Sequence, residues 1–216
     1  MTEHHEVVVI GAGQTGLAMG YFLSRQGRDF RILEAADQPA AAWRERWDSL
    51  RLFTPARYSS LPGMPFPGEV DRYPTRDEVV SYLTDYAHRF ELTVEFNSRV
   101  GSLHRANGTY AIKTDDRMYE SSQVVVATGP FQTPRVPPIT DDLDPNIVQL
   151  HSSAYRSPKD IPPGSVLVVG GGNSGFQIAE ELAASHEVHL SIGSRQTPLP
   201  QRLSAATSSG TSMPRA

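Results

Sequence analysis

Two glycine clusters carry the clearest chemistry in this chain. Gly11-Ala12-Gly13-Gln14-Thr15-Gly16 follows the apolar run Val7–Ile10, and Gly170-Gly171-Gly172-Asn173-Ser174-Gly175 follows Val166–Val169. Glycines at this spacing let a chain turn tightly out of a strand, bring backbone against a pyrophosphate and pack a helix closely on the strand. The helix N-terminus that follows supplies unpaired N–H groups and a partial positive charge for phosphate. One such loop can also be a glycine turn that binds nothing. Two, each in strand–turn–helix context, imply two dinucleotides, and the chemistry that uses two is electron transfer from a nicotinamide to a flavin.

The residues around the loops are not equivalent. Glu34 stands 23 positions after Gly11, at the end of the next apolar run, close to the roughly 20 expected for an acid that hydrogen-bonds a ribose hydroxyl. The second loop has no such acid; Ile192-Gly193-Ser194-Arg195 occupies that place. Ser194 and Arg195 there would bind a 2′-phosphate, which favours NADP over NAD, unless Arg195 is an ordinary solvated charge. Trp43 and Trp47 read either as an aromatic wall beside a flavin ring, with Arg44 near the pyrophosphate, or as core packing. His151 and Tyr155 have no partner at a telling spacing, so no catalytic residue is assigned. The seven histidines are too scattered for a metal site, and His4-His5 reads as a solvated terminus.

Positioning these residues calls for an α/β chain. Residues 6–34 form a βαβ unit, with Leu17, Tyr21, Phe22 and Leu23 as the helix stripe, Gly27 as its C-terminal cap and Phe30–Leu33 as the second strand. Residues 40–74 are rich in Pro, Arg and aromatics and read as functional irregular structure with a short helix around Trp43–Trp47. Thr75-Arg76-Asp77-Glu78 is a capping box for a helix that continues through Val79, Val80, Leu83, Tyr86, Ala87 and Phe90. Residues 93–128 read as a small β-meander, with a strand at Thr93–Phe96, a hairpin turn at Asn107-Gly108 and a buried strand at Gln123–Ala127. Seven prolines between Pro134 and Pro163 mark a connection. A second βαβ unit follows through Phe176–Ala184 to Val188–Ile192, and 204–216 reads as a disordered tail. The expected fold is therefore two dinucleotide-binding, Rossmann-like units with a small β-meander, the second unit incomplete.

Composition narrows the function classes. The 216 residues carry a net charge of −4 with both signs interspersed, so nothing points to nucleic acid. No apolar run approaches a membrane span, and the first strand starts too early to leave room for a signal peptide, so a cytoplasmic protein is expected. With no cysteine, these residues cannot form a disulfide, a thiolate metal site or a redox Cys-x-x-Cys pair.

The chain resembles the flavin-containing monooxygenases, particularly their bacterial flavoprotein branch. The similar stretches are Val8–Gly16, Trp43–Pro55, Tyr73-Pro74-Thr75, Val125–Gly129 and Val168–Gly175, and the Trp43–Pro55 stretch is the most specific. The resemblance implies FAD on Gly11, Gly13, Gln14, Thr15 and Gly16, with Glu34 on the adenosine ribose, Trp43 and Arg44 lining the cofactor and Ala127-Thr128-Gly129 against it. It implies NADPH on Gly170, Gly172, Asn173, Ser174, Gly175, Ser194 and Arg195. It also implies oxygen insertion into a soft nucleophile or carbonyl of a small molecule, using dioxygen and a C4a-hydroperoxyflavin. Three departures stand out. Pro145 and Ile147 replace the Phe and Gly of the family's Phe-x-Gly-x-x-x-His signature, although His151 and Tyr155 match, and Ala40-Ala41-Ala42 replaces a glycine pair before Trp43. The match also stops after Leu203, where family members continue. The resulting expectations are an FAD-binding domain over 1–134 without its closing strand and a partial NADP-binding domain over 135–203. The chain is then an active oxidoreductase, an inactive FAD-binding remnant, or one that an oligomer or partner chain completes.

Overall fold

The computed structural model describes residues 2–193. Ser194, Arg195 and the 204–216 tail therefore lie outside the described residues. Two compact units are present, Met1–Ile161 and Pro162–Ala216.

The first unit is built on one six-stranded sheet in the order β3-β2-β1-β6-β5-β4. Its strands are β1 (Thr2–Ile10), β2 (Phe30–Leu33), β3 (Val94–Glu95), β4 (Val100–Ala106), β5 (Thr109–Thr114) and β6 (Met118–Val126). β1 runs parallel to β2 and β6, and β3 adds in parallel to β2. This corrects the expected meander over 93–128. The 94–95 strand leaves it for the far edge, where Val94 and Glu95 pair with Ile32 and Leu33. The remaining three strands are not a separate layer, because β6 belongs both to the antiparallel β4–β5–β6 set and to the parallel sheet. Asn107 and Gly108 turn the β4–β5 hairpin as expected, both at positive φ (+52° and +85°).

Each face of β1 is covered differently. Val7 and Val9 pack with Leu17, Ile32, Leu83 and Tyr86, which come from β2, α1 (Gln14–Arg25) and α3 (Arg76–Arg89). On the opposite face Val8 and Leu33 pack with Ile112 and Tyr119 of the antiparallel strands. Arg117, immediately before β6, pairs with Glu3 at 3.3 Å and also with Glu95 at the end of β3. The sheet must therefore curl to bring those ends together.

Helix boundaries follow their local signals. α1 ends in a Schellman motif: Gly27, at φ +63°, donates to the Ser24 carbonyl at 3.0 Å, and Arg28 donates to that of Leu23 at 3.1 Å. α3 opens with the expected capping box, in which the Thr75 hydroxyl accepts from the Glu78 N–H while the Glu78 carboxylate accepts from the Thr75 N–H. Burial pushes the Tyr86 phenol well above its ordinary range, which keeps it a donor to the Pro62 carbonyl at 2.7 Å.

His4 and His5 are not a loose terminus, although the His4 side chain is exposed. β1 starts at Thr2 because it pairs with β6 from Met118 onward, so both histidines are strand residues. The His5 side chain is 11% exposed and bonds Asp29 at 3.1 Å.

In the second unit, β7 (Ser165–Val169) and β8 (Glu187–Ser191) pair in parallel across α4 (Asn173–Leu182). Ile178, Ala179 and Leu182 form the buried side of α4, while Leu167 and Val169 on β7 are 63% and 72% exposed.

Candidate dinucleotide-binding sites

Both glycine loops have the same backbone. At the first position Gly11 has φ +103° and Gly170 has φ +122°, a region that side-chain-bearing residues rarely adopt. Each of these glycines donates its N–H to the end of the neighbouring strand, Leu33 and Ser191 respectively, at 2.8 Å in both cases. At the last position, a Cβ on Gly16 would overlap the Gly11 carbonyl oxygen, and one on Gly175 would overlap that of Gly170. The middle glycines differ: a Cβ on Gly13 or Gly172 meets nothing within 4 Å. Positive φ at the first glycine and packing at the last therefore account for the outer glycines of each loop, while the middle one faces open space, the feature that lets a ligand approach backbone closely.

The helices behind the loops present free backbone donors. Gly13 and Gly172 are the N-caps of α1 and α4, and neither cap is filled by a side chain. The first intrahelical bonds are Leu17 N–H to Gly13 at 2.9 Å and Phe176 N–H to Gly172 at 3.1 Å, so the N–H groups of Gln14, Thr15 and Gly16, and of Asn173, Ser174 and Gly175, precede them. Gln14, Thr15, Asn173 and Ser174 are exposed. This is the arrangement that binds pyrophosphate.

Glu34 is brought to the first loop directly. One carboxylate oxygen accepts the Ala12 N–H at 2.7 Å and the other accepts the Ala36 N–H at 3.1 Å. Each oxygen retains a second lone pair for a ribose hydroxyl. On the other side of the loop, the Ala127 N–H donates to the Ile10 carbonyl at 2.8 Å. Gly11 lies so close to Ala127 and Thr128 that a Cβ would come within 2.7 Å of the Ala127 oxygen. β6 ends at Val126, so Ala127, Thr128 and Gly129 lie in irregular backbone rather than in the strand, one residue short of the expected end.

Trp43 and Arg44 sit on α2 (Ala41–Arg44), which starts earlier than the spacing suggested. Its opening residue, Ala40, has φ +60° and accepts from the N–H groups of Trp43 and Arg44. Trp43 is half-buried against the cluster that contains Ala12 and Ala40. Trp47 is buried, while Arg44 is exposed with its Nε donating to the Pro39 carbonyl at 3.1 Å. Tyr155 is buried, and His151 accepts the Ser153 N–H on Nδ1 at 3.2 Å, a local turn contact. Sequence reasoning missed Ala36, whose N–H helps to fix the Glu34 carboxylate. Nothing in its spacing marks it, because the role depends on a contact made by folding.

Two surface hollows are also present. One, of about 410 Å³, lies between Met64–Pro67 and the outer side of α3, and one of about 290 Å³ lies around His4, His5 and Glu120. No glycine-loop residue lines either. Among the described residues no group of three or more His, Asp or Glu could hold a metal ion, and no helix is long and apolar enough to cross a membrane.

Residues 8–208 match the pyridine nucleotide-disulphide oxidoreductase family. The chain belongs to that family. An uncharacterized CzcO-like oxidoreductase of Geobacillus kaustophilus is 47% identical over 195 residues, spanning 90% of this chain and 56% of the relative. The probable indole-3-pyruvate monooxygenase YUCCA4 of Arabidopsis thaliana is 34% identical over 210 residues, spanning 95% and 51%. Among solved structures, a flavin-containing monooxygenase from Stenotrophomonas maltophilia matches with a TM-score of 0.84 and 34% identity, spanning 92% of this chain and 60% of that one. The chain thus covers a little over half the length of these relatives. Despite the family's name, its 216 residues supply no thiol for disulfide chemistry.

Proposed function

We propose that this chain is the dinucleotide-handling part of an FAD-dependent, NADPH-reduced oxidoreductase of the flavin monooxygenase type. The observation that carries the reading is the matched pair of loops, each with an open middle glycine before an uncapped helix. Gly11, Gly13, Gln14, Thr15 and Gly16 would hold the FAD pyrophosphate, and Glu34 would hold the adenosine ribose. Trp43, Arg44, Ala127, Thr128 and Gly129 would line the cofactor. Gly170, Gly172, Asn173, Ser174 and Gly175 would take NADPH, together with Ser194 and Arg195 at its 2′-phosphate. Held by these residues, FAD would supply the redox chemistry of the reaction, using a hydride from NADPH and dioxygen to put one oxygen atom into a small-molecule nucleophile or carbonyl and release the other as water. The residues named bind and orient the two cofactors; none is assigned a proton-transfer role. We place the protein in the cytoplasm, where NADPH is supplied.

Purification and a visible spectrum test this reading. A yellow chain whose flavin bands bleach with NADPH supports it. A colourless chain that acquires no flavin bands with added FAD refutes it. Bands that bleach only when the rest of a relative is supplied would favour a chain completed by a partner. Arg195→Ala should weaken NADPH far more than NADH; equal losses would contradict the 2′-phosphate role.

A further inference from the structure

The proline-rich connection is fastened to the first unit near its far end. Asp48 donates its backbone N–H to the Arg156 carbonyl at 2.9 Å, and Arg156 lies shortly before the second unit begins at Pro162. Trp47 and Tyr155, the residues just before the two partners, are both buried. Among the described residues, the other backbone bonds along 137–161 are local, as from Ile147 to Asp144, Ala154 to His151 and Ile161 to Pro158. The stretch around Arg156 is itself folded. Its guanidinium donates to the Ser153 and Tyr155 carbonyls at 2.7 and 3.0 Å, and the Asp160 carboxylate accepts from both the N–H and the hydroxyl of Ser157 at 3.1 Å. A piece so bonded is held by holding one point of it.

The Trp47–Asp48 turn is fixed from α3. Arg76 opens that helix, and its side chain is 16% exposed. One terminal nitrogen, Nη1, donates to the Arg46 carbonyl at 2.8 Å and to the Asp48 carboxylate at 2.7 Å, so it spans the two residues that flank Trp47. The Arg76 backbone N–H donates to the Leu50 carbonyl at 2.9 Å, and Nε takes Asp77 at 2.8 Å. We propose that Arg76 is a positioning residue: it sets the Trp47–Asp48 turn as a bracket that grips Arg156, and so fixes where the connection to the second unit leaves the first. Its bearing on hydride transfer rests on the reading of two nucleotide sites, but the bracket itself is a feature of this chain. A nicotinamide carried on one unit meets a flavin carried on the other only through the connection between them, and small misplacements of reacting groups cost rate steeply. A charged donor shared by a carbonyl and a carboxylate is well suited to fixing such a turn, because charge-assisted bonds are the stronger ones.

The test is amide hydrogen exchange on the full chain, read at Asp48, beside the rate at which NADPH bleaches the flavin. Arg76→Met should speed exchange of the Asp48 amide about tenfold or more, while Tyr82–Ala87 in the middle of α3 keep their protection. Trypsin should also cut faster after Arg156, whose carbonyl the bracket holds. Arg76→Lys should restore part of the protection, since an ammonium still donates but lacks the planar fork, and Asp77→Asn should leave the Asp48 amide as it is. With FAD bound, Arg76→Met should slow NADPH bleaching at unchanged FAD affinity. Unaltered Asp48 exchange in Arg76→Met overturns the bracket. So does equal acceleration throughout α3, which would make Arg76 a general stabiliser of the helix. A freed Asp48 amide with undiminished bleaching overturns the positioning role. Failure of the parent chain to take up FAD refutes the two-nucleotide reading alone, because the exchange measurement needs no cofactor.

Discussion

Gly13 and Gly16 lie three residues apart yet answer to different constraints. Gly16 is packed so tightly on the Gly11 carbonyl that any side chain must displace backbone, whereas Gly13 faces open space. Gly16→Ala should therefore destabilise the chain by about 2 kcal/mol or more, the range of overpacked cores. Gly13→Ala should cost no more than about 1 kcal/mol, the loss expected when alanine replaces glycine at the N-cap of α1. Its effect should fall on FAD, with affinity reduced about tenfold or more by a methyl in the path of the pyrophosphate. Urea unfolding and flavin titration of both variants check this; a Gly13→Ala chain that binds FAD normally would remove the close-approach argument. Glycine types were legible in the sequence because only glycine meets these constraints. Ala40 was less so: it opens α2 at φ +60°, a conformation that costs a non-glycine residue roughly 1–2 kcal/mol, in the Ala40-Ala41-Ala42 stretch that stands where the resemblance anticipates a glycine pair.

At the scale of elements, α3 shows which signals survive folding. Its start was readable from Thr75-Arg76-Asp77-Glu78 because the box closes within one turn. Asn107-Gly108 was readable for the same reason, since its turn geometry is local. The partner of the 94–95 strand was not, because a two-residue strand carries no record of which sheet edge it joins. The α3 box also makes stability depend on pH. Burial opposes ionisation of Glu78, but the Thr75 N–H and the Arg72 guanidinium outweigh it and hold the carboxyl below its ordinary value. A lowered folded value means that the contribution is present above the unfolded value near 4.5 and is lost as pH falls through the folded one. Urea midpoints should therefore drop between about pH 5 and pH 3, and Glu78→Gln should flatten that part of the curve. An unaltered slope in the variant would assign the acid sensitivity to other carboxylates.

Across the whole molecule, the two βαβ units share loop geometry but not burial. Val8 on β1 is fully buried, with Ile112 and Tyr119 laid over it, while Leu167 at the matching place on β7 is 63% exposed. The sequence could not distinguish these strands, since Val7–Ile10 and Val166–Val169 are both continuous apolar runs of the kind found in sheets covered on both sides. The difference lies in what covers each strand, which residues distant in sequence decide. An apolar sheet face open to water promotes association. Leu167→Thr with Val169→Thr should therefore reduce concentration-dependent light scattering while β7 still pairs with β8, because threonine keeps strand propensity. Both side chains project away from the buried side of α4, so the thermal midpoint of the parent should be retained. Unchanged scattering would show that self-association arises elsewhere, and a collapsed midpoint would show that these two side chains are already packed inside the fold.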